Sequence, residues 1–364
     1  MQARDIGIRI GQGEPGPRNS ITDVAGVRVG HSTLIEGEGP LVTGKGPVRT
    51  GVTMVVPHER VGRALLFAGS HRLNGNGEMT GLEWVRESGL LTSPIGITNT
   101  HSVGVVHDAL IGVQARSAPP GEAWWSLPVV AETWDGMLND VNGQHVRPEH
   151  VEAALASAAE GPVAEGNVGG GTGMICHGFK GGIGTASRVV PTGSGPFTVG
   201  ILVQANHGRR DRLSVNGAPV GMAIPASEVP LPHDRGDGGG GSIIVVVATD
   251  APLLPHQCER LAQRAGLGVA RMGGAGENSS GDLFIAFSTA NADARIGAET
   301  IAQVGMLSND SITPLFYAVI EATEEAILNA LLAAETMVGR DGNTAYQLPP
   351  DRLTEVMAAY GLHT

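Results

Sequence analysis

Ser242 stands where two opposite kinds of sequence meet. Four glycines, Gly238 to Gly241, precede it, and Ile243-Ile244-Val245-Val246-Val247 follows. β-Branched residues suit a strand buried on both faces, so 243–247 reads as a central strand. Glycine tolerates positive φ and close backbone approach, so the loop can hold its last peptide bond in a shape closed to other residues. The junction therefore sets a hydroxyl at the rigid end of a strand beside a pliable peptide bond. That suits self-cleavage, in which Ser242 attacks the Gly241 carbonyl and emerges as a new N-terminus. On the octapeptide 235–242 alone, a Gly-rich linker entering a strand is the commoner use. The remaining residues reverse that balance.

A serine hydroxyl needs a neighbour to take its proton. After cleavage the α-amino group lies in the same residue, and its reference pKa of about 7.7–8.0 leaves a neutral fraction near neutral pH. No histidine is then required; no Ser-His-Asp order stands out, and Gly-x-Ser-x-Gly is absent. Downstream, Ser280 and Asp282 precede an alternating strand, and side chains two apart share a face. They could orient the amine and relay its proton; an ordinary turn with polar caps fits them too. Asn206 ends a run at Val203-Gln204-Ala205 and could donate to a developing oxyanion, or could form a turn before Gly208. Trp124, Trp125 and Trp134 surround Glu132 in the chain, and an aromatic wall with one carboxylate would hold a substrate ammonium. Core packing explains the tryptophans equally well.

Two other patterns carry less. The stretch 165–174 is glycine-rich but lacks the Gly-Lys-Ser/Thr ending of a phosphate loop, so close backbone packing near the active site is expected there. His101, His177 and His207 match no spaced metal set and are expected to be non-ligands, with no metal or other cofactor needed.

The elements that must position these residues follow from periodicity. Strands are expected over 52–57, 95–98, 197–204, 243–247 and 283–288. Helices are expected over 78–88, over 101–116 with Thr100 as cap, and over 148–159, 254–265, 312–337 and 352–360. Both sides of the glycine run hold strand and helix signals, so one domain over 1–364 with a shared sheet sandwich is expected. Glycine is the compositional outlier at 55 residues, about twice its usual share, without a collagen period. A net charge of −12 and the lack of a basic stripe argue against nucleic acid. Cys176 and Cys258 are too few for a disulfide framework and form no CxxC. No signal-peptide pattern and no run of eighteen apolar residues appears, so a cytoplasmic protein away from membranes is expected.

A set of ordered motifs now bears on the family. They are Ile21-Thr22-Asp23-Val24-Ala25-Gly26-Val27 with Val29-Gly30-His31, then Leu73-Asn74-Gly75-Asn76-Gly77-Glu78-Met79-Thr80-Gly81. Next come Thr98-Asn99-Thr100-His101-Ser102-Val103-Gly104, Glu132-Thr133-Trp134-Asp135-Gly136, the block 162–188 and the Gly241-Ser242 junction with 243–254. With them the chain, over nearly its whole length, closely resembles the DmpA-type L-aminopeptidase/D-esterase family, which includes the β-aminopeptidases. The resemblance implies an α+β fold, a four-layer αββα sandwich shared with the ornithine acetyltransferases. It also implies a precursor cut at Gly241-Ser242 into an α chain, 1–241, and a β chain, 242–364, that stay together, often as a homotetramer of αβ units. By position Ser242 matches the nucleophile, Ser280 and Asp282 the Ser plus acid pair, and Asn206 the oxyanion donor. Trp134 falls where members carry Tyr or Trp, which leaves α- against β-aminoacyl preference open. The reading is an aminopeptidase, amidase and esterase acting on short peptides or aminoacyl amides and esters, with Glu132 and Trp134 binding substrate. An acyltransferase using an amine in place of water, and a self-cleaving assembly protein without turnover, are the alternatives.

Overall fold

The computed structural model describes residues 1–121, 123–193, 195–232, 241–294 and 301–362. Most of the glycine run, through Gly240, lies outside the described residues. In chain order the strands and helices are β1 (Arg28–Glu36), β2 (Val48–Val56), β3 (Phe67–Arg72), α1 (Leu82–Ser88), β4 (Ile95–Asn99), α2 (Val103–Arg116), β5 (Val129–Thr133) and α3 (Pro148–Ala156). They continue with β6 (Ile175–Cys176), β7 (Phe179–Lys180), β8 (Gly182–Val190), β9 (Phe197–Asn206), α4 (Val220–Ala223) and β10 (Ser242–Thr249). The last are α5 (Pro255–Arg271), β11 (Leu283–Ser288), α6 (Thr313–Ala333), β12 (Met337–Val338), β13 (Thr344–Ala345) and α7 (Pro350–Ala359).

Alternation along β10 explains the layers. Ile244, Val246 and Ala248 join a core with Ile95, Ile97, Val129 and Ala131. Those residues belong to a four-stranded sheet of order β1-β2-β4-β5, so the two sheets pack face to face. Ile243, Val245 and Val247 point the other way, into a core with Leu261, Ala265, Val319 and Ile327 of α5 and α6. On the far side of the first sheet, Val52, Met54 and Val130 pack on Val106 and Leu110 of α2 and Val151 of α3. The result is α, β, β, α, the expected four-layer sandwich. A strand covered on both faces needs apolar residues at every position, which is why 243–247 lacks an in-out pattern.

The second sheet runs β3-β11-β10-β9-β8, with β10 antiparallel to β9 and parallel to β11. It draws strands from both sides of residue 241, so the expected cut would divide a continuous sheet without removing any strand from it. Close approach makes several glycines indispensable: a Cβ on Gly184 of β8 would lie 2.0 Å from Ala326 O of α6.

Element ends differ from the sequence expectation for local reasons. The helix expected from 78 starts at Leu82, because Met79 bridges to Ala131 and Gly81 takes a φ of 74° against Leu127 O. Thr100 does not cap α2; Asn99 Oδ1 accepts from His101 N–H, a 3-10 turn spans Thr100–Ser102, and the Thr100 hydroxyl turns to Glu132. α6 ends at Ala333, because Ala334 turns extended and Met337 pairs with Ala345. Among the described residues no helix is long and apolar enough to cross a membrane.

Gly184→Ala is expected to lower the denaturant midpoint by an amount equivalent to about 1–3 kcal/mol or more, since neither the strand nor the helix backbone can give way easily. Chemical unfolding beside the wild type checks it, and an unchanged midpoint would mean that α6 shifts at little cost.

Candidate active site

The C-terminal segment leading into β11 and the first residue of β10 meet because the two strands are parallel and adjacent. Ser242 is buried and opens β10, paired in register with Asn206 at the end of β9. Gly241 has a φ of 149°, and a Cβ there would fall 1.9 Å from Asn206 O, so only glycine fits before the serine. The main-chain N–H of Gly281 donates to Ser242 Oγ at 3.0 Å. Beside it Ser280 Oγ donates to Asp282 Oδ1 at 2.6 Å, and Ile243 N–H donates to the same oxygen at 3.1 Å. The carboxylate thus reaches the main chain one residue past Ser242. Burial pushes the Asp282 carboxyl up, and its bonds from Ser280 and Ile243 act against that.

A second loop holds this one in place. Asp282 N–H donates to Asn74 Oδ1 at 2.6 Å, Asn74 Nδ2 to Glu277 O at 3.1 Å and Asn76 Nδ2 to Ser279 O at 2.8 Å. Gly77 fits between Gly281 and Glu132: its Cβ position lies 3.0 Å from Gly281 Cα and 3.3 Å from Glu132 Oε1. Glu132 therefore lies just across Gly77 from the backbone that touches Ser242. Its Oε1 accepts from Glu78 N–H at 3.0 Å and its Oε2 from the Thr100 hydroxyl. Burial raises its pKa, and the Thr100 and Glu78 bonds pull the other way.

Asn206 is fixed at both ends of its amide. Oδ1 accepts from Ile175 N–H at 2.8 Å, and Nδ2 donates to Trp134 O at 3.1 Å. The Gly241 Cβ position is 3.4 Å from Nδ2, so the amide NH2 faces the Gly241-Ser242 junction with a second hydrogen still to give. Trp134 is 44% exposed at the end of β5. The other tryptophans do not join it: Trp125 packs edge-on against Trp84 at 5.1 Å and Trp124 lies over Gly62. Trp124 and Trp125 therefore add nothing to an aromatic wall beside Trp134, which follows Glu132 by two residues in the chain.

The glycine-rich stretch before β6 is close backbone packing, as expected. A Cβ on Gly170 would strike Gln204 Oε1 at 2.2 Å and one on Gly171 would strike Ile183 N at 2.5 Å. His101 is exposed beyond β4, whereas His177 and His207 lie buried with ring centroids 5.1 Å apart, beside Cys176. Their separation in sequence hid that grouping. The sequence reading also missed Gly281 N–H, Asn74, Gly77 and Thr100 as contacts of the site; the Asn-Gly-Asn-Gly run at 74–77 was the available signal.

Residues 19–345 match the model of peptidase family S58. The chain belongs to that family. It is 53% identical over 99% of its length, and 92% of the relative's, to the β-peptidyl aminopeptidase BapA of Sphingosinicella microcystinivorans. A solved β-aminopeptidase from Burkholderia sp. superposes with a TM-score of 0.91 at 53% identity, covering 99% of both chains. The L-aminopeptidase D-Ala-esterase/amidase of Ochrobactrum anthropi, described as a prototype serine aminopeptidase with a variant Ntn hydrolase fold, superposes with a TM-score of 0.90 at 45% identity, over 100% of this chain and 99% of its own. This S58 member is accordingly a hydrolase of the aminopeptidase type with that α+β fold.

One family-motif carboxyl titrates in a useful range. Asp135, fully buried after Trp134, accepts from Asn139 Nδ2 at 3.0 Å and is pushed up from 3.8 to about 7, chiefly by burial. Between those values the folded chain keeps a proton that the unfolded chain has released. Stability from this group is therefore lost as pH rises, with a slope of up to about 1.4 kcal/mol per pH unit. Asp135→Asn is expected to make stability rise relative to wild type across that window, as denaturant midpoints taken from acid to neutral pH would register. Parallel curves would show that Asp135 is ionised when folded.

Proposed function

We propose that the chain is made as an inactive precursor, cuts itself between Gly241 and Ser242, and then releases N-terminal residues, β-amino acids among them, from short peptides, amides and esters. The observation that carries this reading is the facing of Ser242 and Asn206 across one ladder, with Gly281 N–H on the hydroxyl and only glycine fitting before it. In the precursor Ser242 Oγ attacks the Gly241 carbonyl, the C–N bond breaks, and the leaving nitrogen takes the proton to become the new amine. Water then hydrolyses the resulting ester.

In the mature enzyme that amine serves as base for its own hydroxyl. Asp282, bonded to Ser280 and to Ile243 N–H, is close enough to the new terminus to orient it. Oγ adds to the substrate carbonyl, and the Asn206 amide stabilises the oxyanion, a contribution of about 2.7–4 kcal/mol for one such donor. The leaving amine departs with a proton, and water resolves the acyl-enzyme. Glu132 receives the substrate ammonium, since an ionised carboxylate held by two donors in a buried site is a strong partner for a cation. Trp134 lines the approach. Two relatives at 53% and 46% identity, both named β-peptidyl aminopeptidases, support including β-aminoacyl substrates.

Intact mass under denaturing conditions is expected to give two fragments, 1–241 and 242–364, for the wild type, and one uncut chain for Ser242→Ala. An uncut, active wild type would overturn the amine-as-base mechanism. Glu132→Gln is expected to cut itself normally yet lose about 10²–10³-fold in kcat/KM, because self-cleavage involves no substrate ammonium whereas turnover loses a buried ion pair. Equal losses in processing and turnover would place Glu132 in the shared chemistry instead.

A further inference from the structure

Three side chains of types that can ligate a metal meet next to Asn206, outside the proposed hydrolytic machinery. Cys176 ends β6, His177 is the next residue, and His207 follows Asn206. One ligand atom from each lies within 4.8 Å of the other two, and all three residues are buried. Cys176 Sγ is 3.8 Å from His207 Nδ1. A sulfur and a nitrogen bound to one metal, at about 2.3 and 2.0 Å, stand ~3.5–3.7 Å apart for tetrahedral to trigonal angles. The spacing is therefore close to that of a filled site.

The nitrogens point to the same use. His177 Nδ1 lies 3.0 Å from Arg209 O, a carbonyl that can only accept, so Nδ1 carries the proton and Nε2 keeps a lone pair. With His207 facing Cys176 through Nδ1, the Nε2 of His177 is the lone pair left over, and it is buried without a hydrogen-bond partner. Such orphaned atoms are rare because they forfeit their hydration, and a ligand would restore what burial removes. The backbone also bends to bring one ring in. His177 and Gly178 take φ of 49° and 70° in the two-residue turn between β6 and β7, a turn that favours Asn-Gly. A histidine stands where asparagine would serve the turn better. Gly208 and Gly274 let the main chain close over the rings, for a Cβ on them would lie 2.3 Å from His177 Cε1 and 3.0 Å from His207 Cδ2.

Charge narrows the ion. Thiolate and imidazole suit soft ions such as copper(I) and zinc. Lys180 lies within electrostatic reach of Cys176, and Arg210 of His177. A divalent ion with one thiolate would add a net positive charge near those basic side chains, whereas a monovalent ion adds none. We propose that Cys176, His177 and His207 form a buried three-ligand site for a soft monovalent ion, copper(I), distinct from the hydrolytic centre. Cys176 binds as thiolate, releasing its proton to solvent, and the imidazoles bind as neutral rings. Ile175, whose N–H holds Asn206 Oδ1, precedes Cys176, so the ion would tie together the two segments that fix Asn206.

The test uses the full chain expressed in copper- or zinc-supplemented medium, so that the buried site can load as it folds. Protein purified under anaerobic, reducing conditions is passed over a competing copper(I) chelator and its metal counted by elemental mass spectrometry. The wild type is expected to retain one copper ion per chain, to prefer copper to zinc, and to melt higher when loaded. Cys176→Ala and His177→Asn are expected to lose the ion and the melting shift; asparagine suits the turn, so the second variant separates ligand loss from misfolding. A wild type that retains no copper, variants that retain as much as the wild type, or a preference for zinc would each overturn the proposal.

Discussion

The register of β10 against β9 is the constraint on which the site depends. With Gly241 pressed against Asn206 O and Ser242 opposite Asn206, the serine has no freedom to slide along the ladder. A slip of one residue would turn Ile244 and Val246 from the inter-sheet core toward the helices, exchanging every buried contact of the strand. Because both faces are filled, that exchange is opposed throughout the strand. The hydroxyl is thereby positioned by a core, and its precision comes from packing far larger than any one hydrogen bond.

Around that fixed point the polar groups are held by main chain more than by one another. Gly281 N–H holds Ser242 Oγ, Ile243 N–H holds Asp282, Glu78 N–H holds Glu132, and Ile175 N–H holds Asn206. Backbone donors cannot swing away, so these side chains are held in place by the fold itself. The same burial that removes water raises the pKa of Glu132, Asp135 and Asp282, and their hydrogen bonds only partly offset it. A low dielectric strengthens the attraction of such carboxylates for an incoming cation while making them costly when empty.

The first residues are tied to the opposite side of the sandwich. Ala3 N–H donates to Asn329 of α6, and Arg4 and Arg188 both pair with Glu325. Those contacts fasten the N-terminal segment and β8 to α6. The buried ions themselves are weak evidence for net stability, since desolvation consumes much of their attraction. Their geometric role is clearer: β8 is held where β9 can pair with it, and β9 carries Asn206.

By itself the amino-acid order determined the local events. The β-branched run identified β10 as a strand covered on both faces, the glycines before it marked a position where a side chain would collide, and the ordered motifs implied the four-layer sandwich. Ser280 and Asp282 were legible as a pair because they are two residues apart at the start of a strand. What only tertiary structure decided was which distant loops share a volume. Thr100 reads as a helix cap, yet its hydroxyl goes to Glu132; Asn74 and Asn76 read as turn residues, yet they clamp 277–282. Trp124 and Trp125 read as neighbours of Trp134 in sequence but pack elsewhere, and His177 and His207 meet although thirty positions separate them. The physical reason is range. Propensity, periodicity and steric demand act within a few residues, whereas these contacts depend on sheet order, which the chain settles only when both faces of β10 are buried at once.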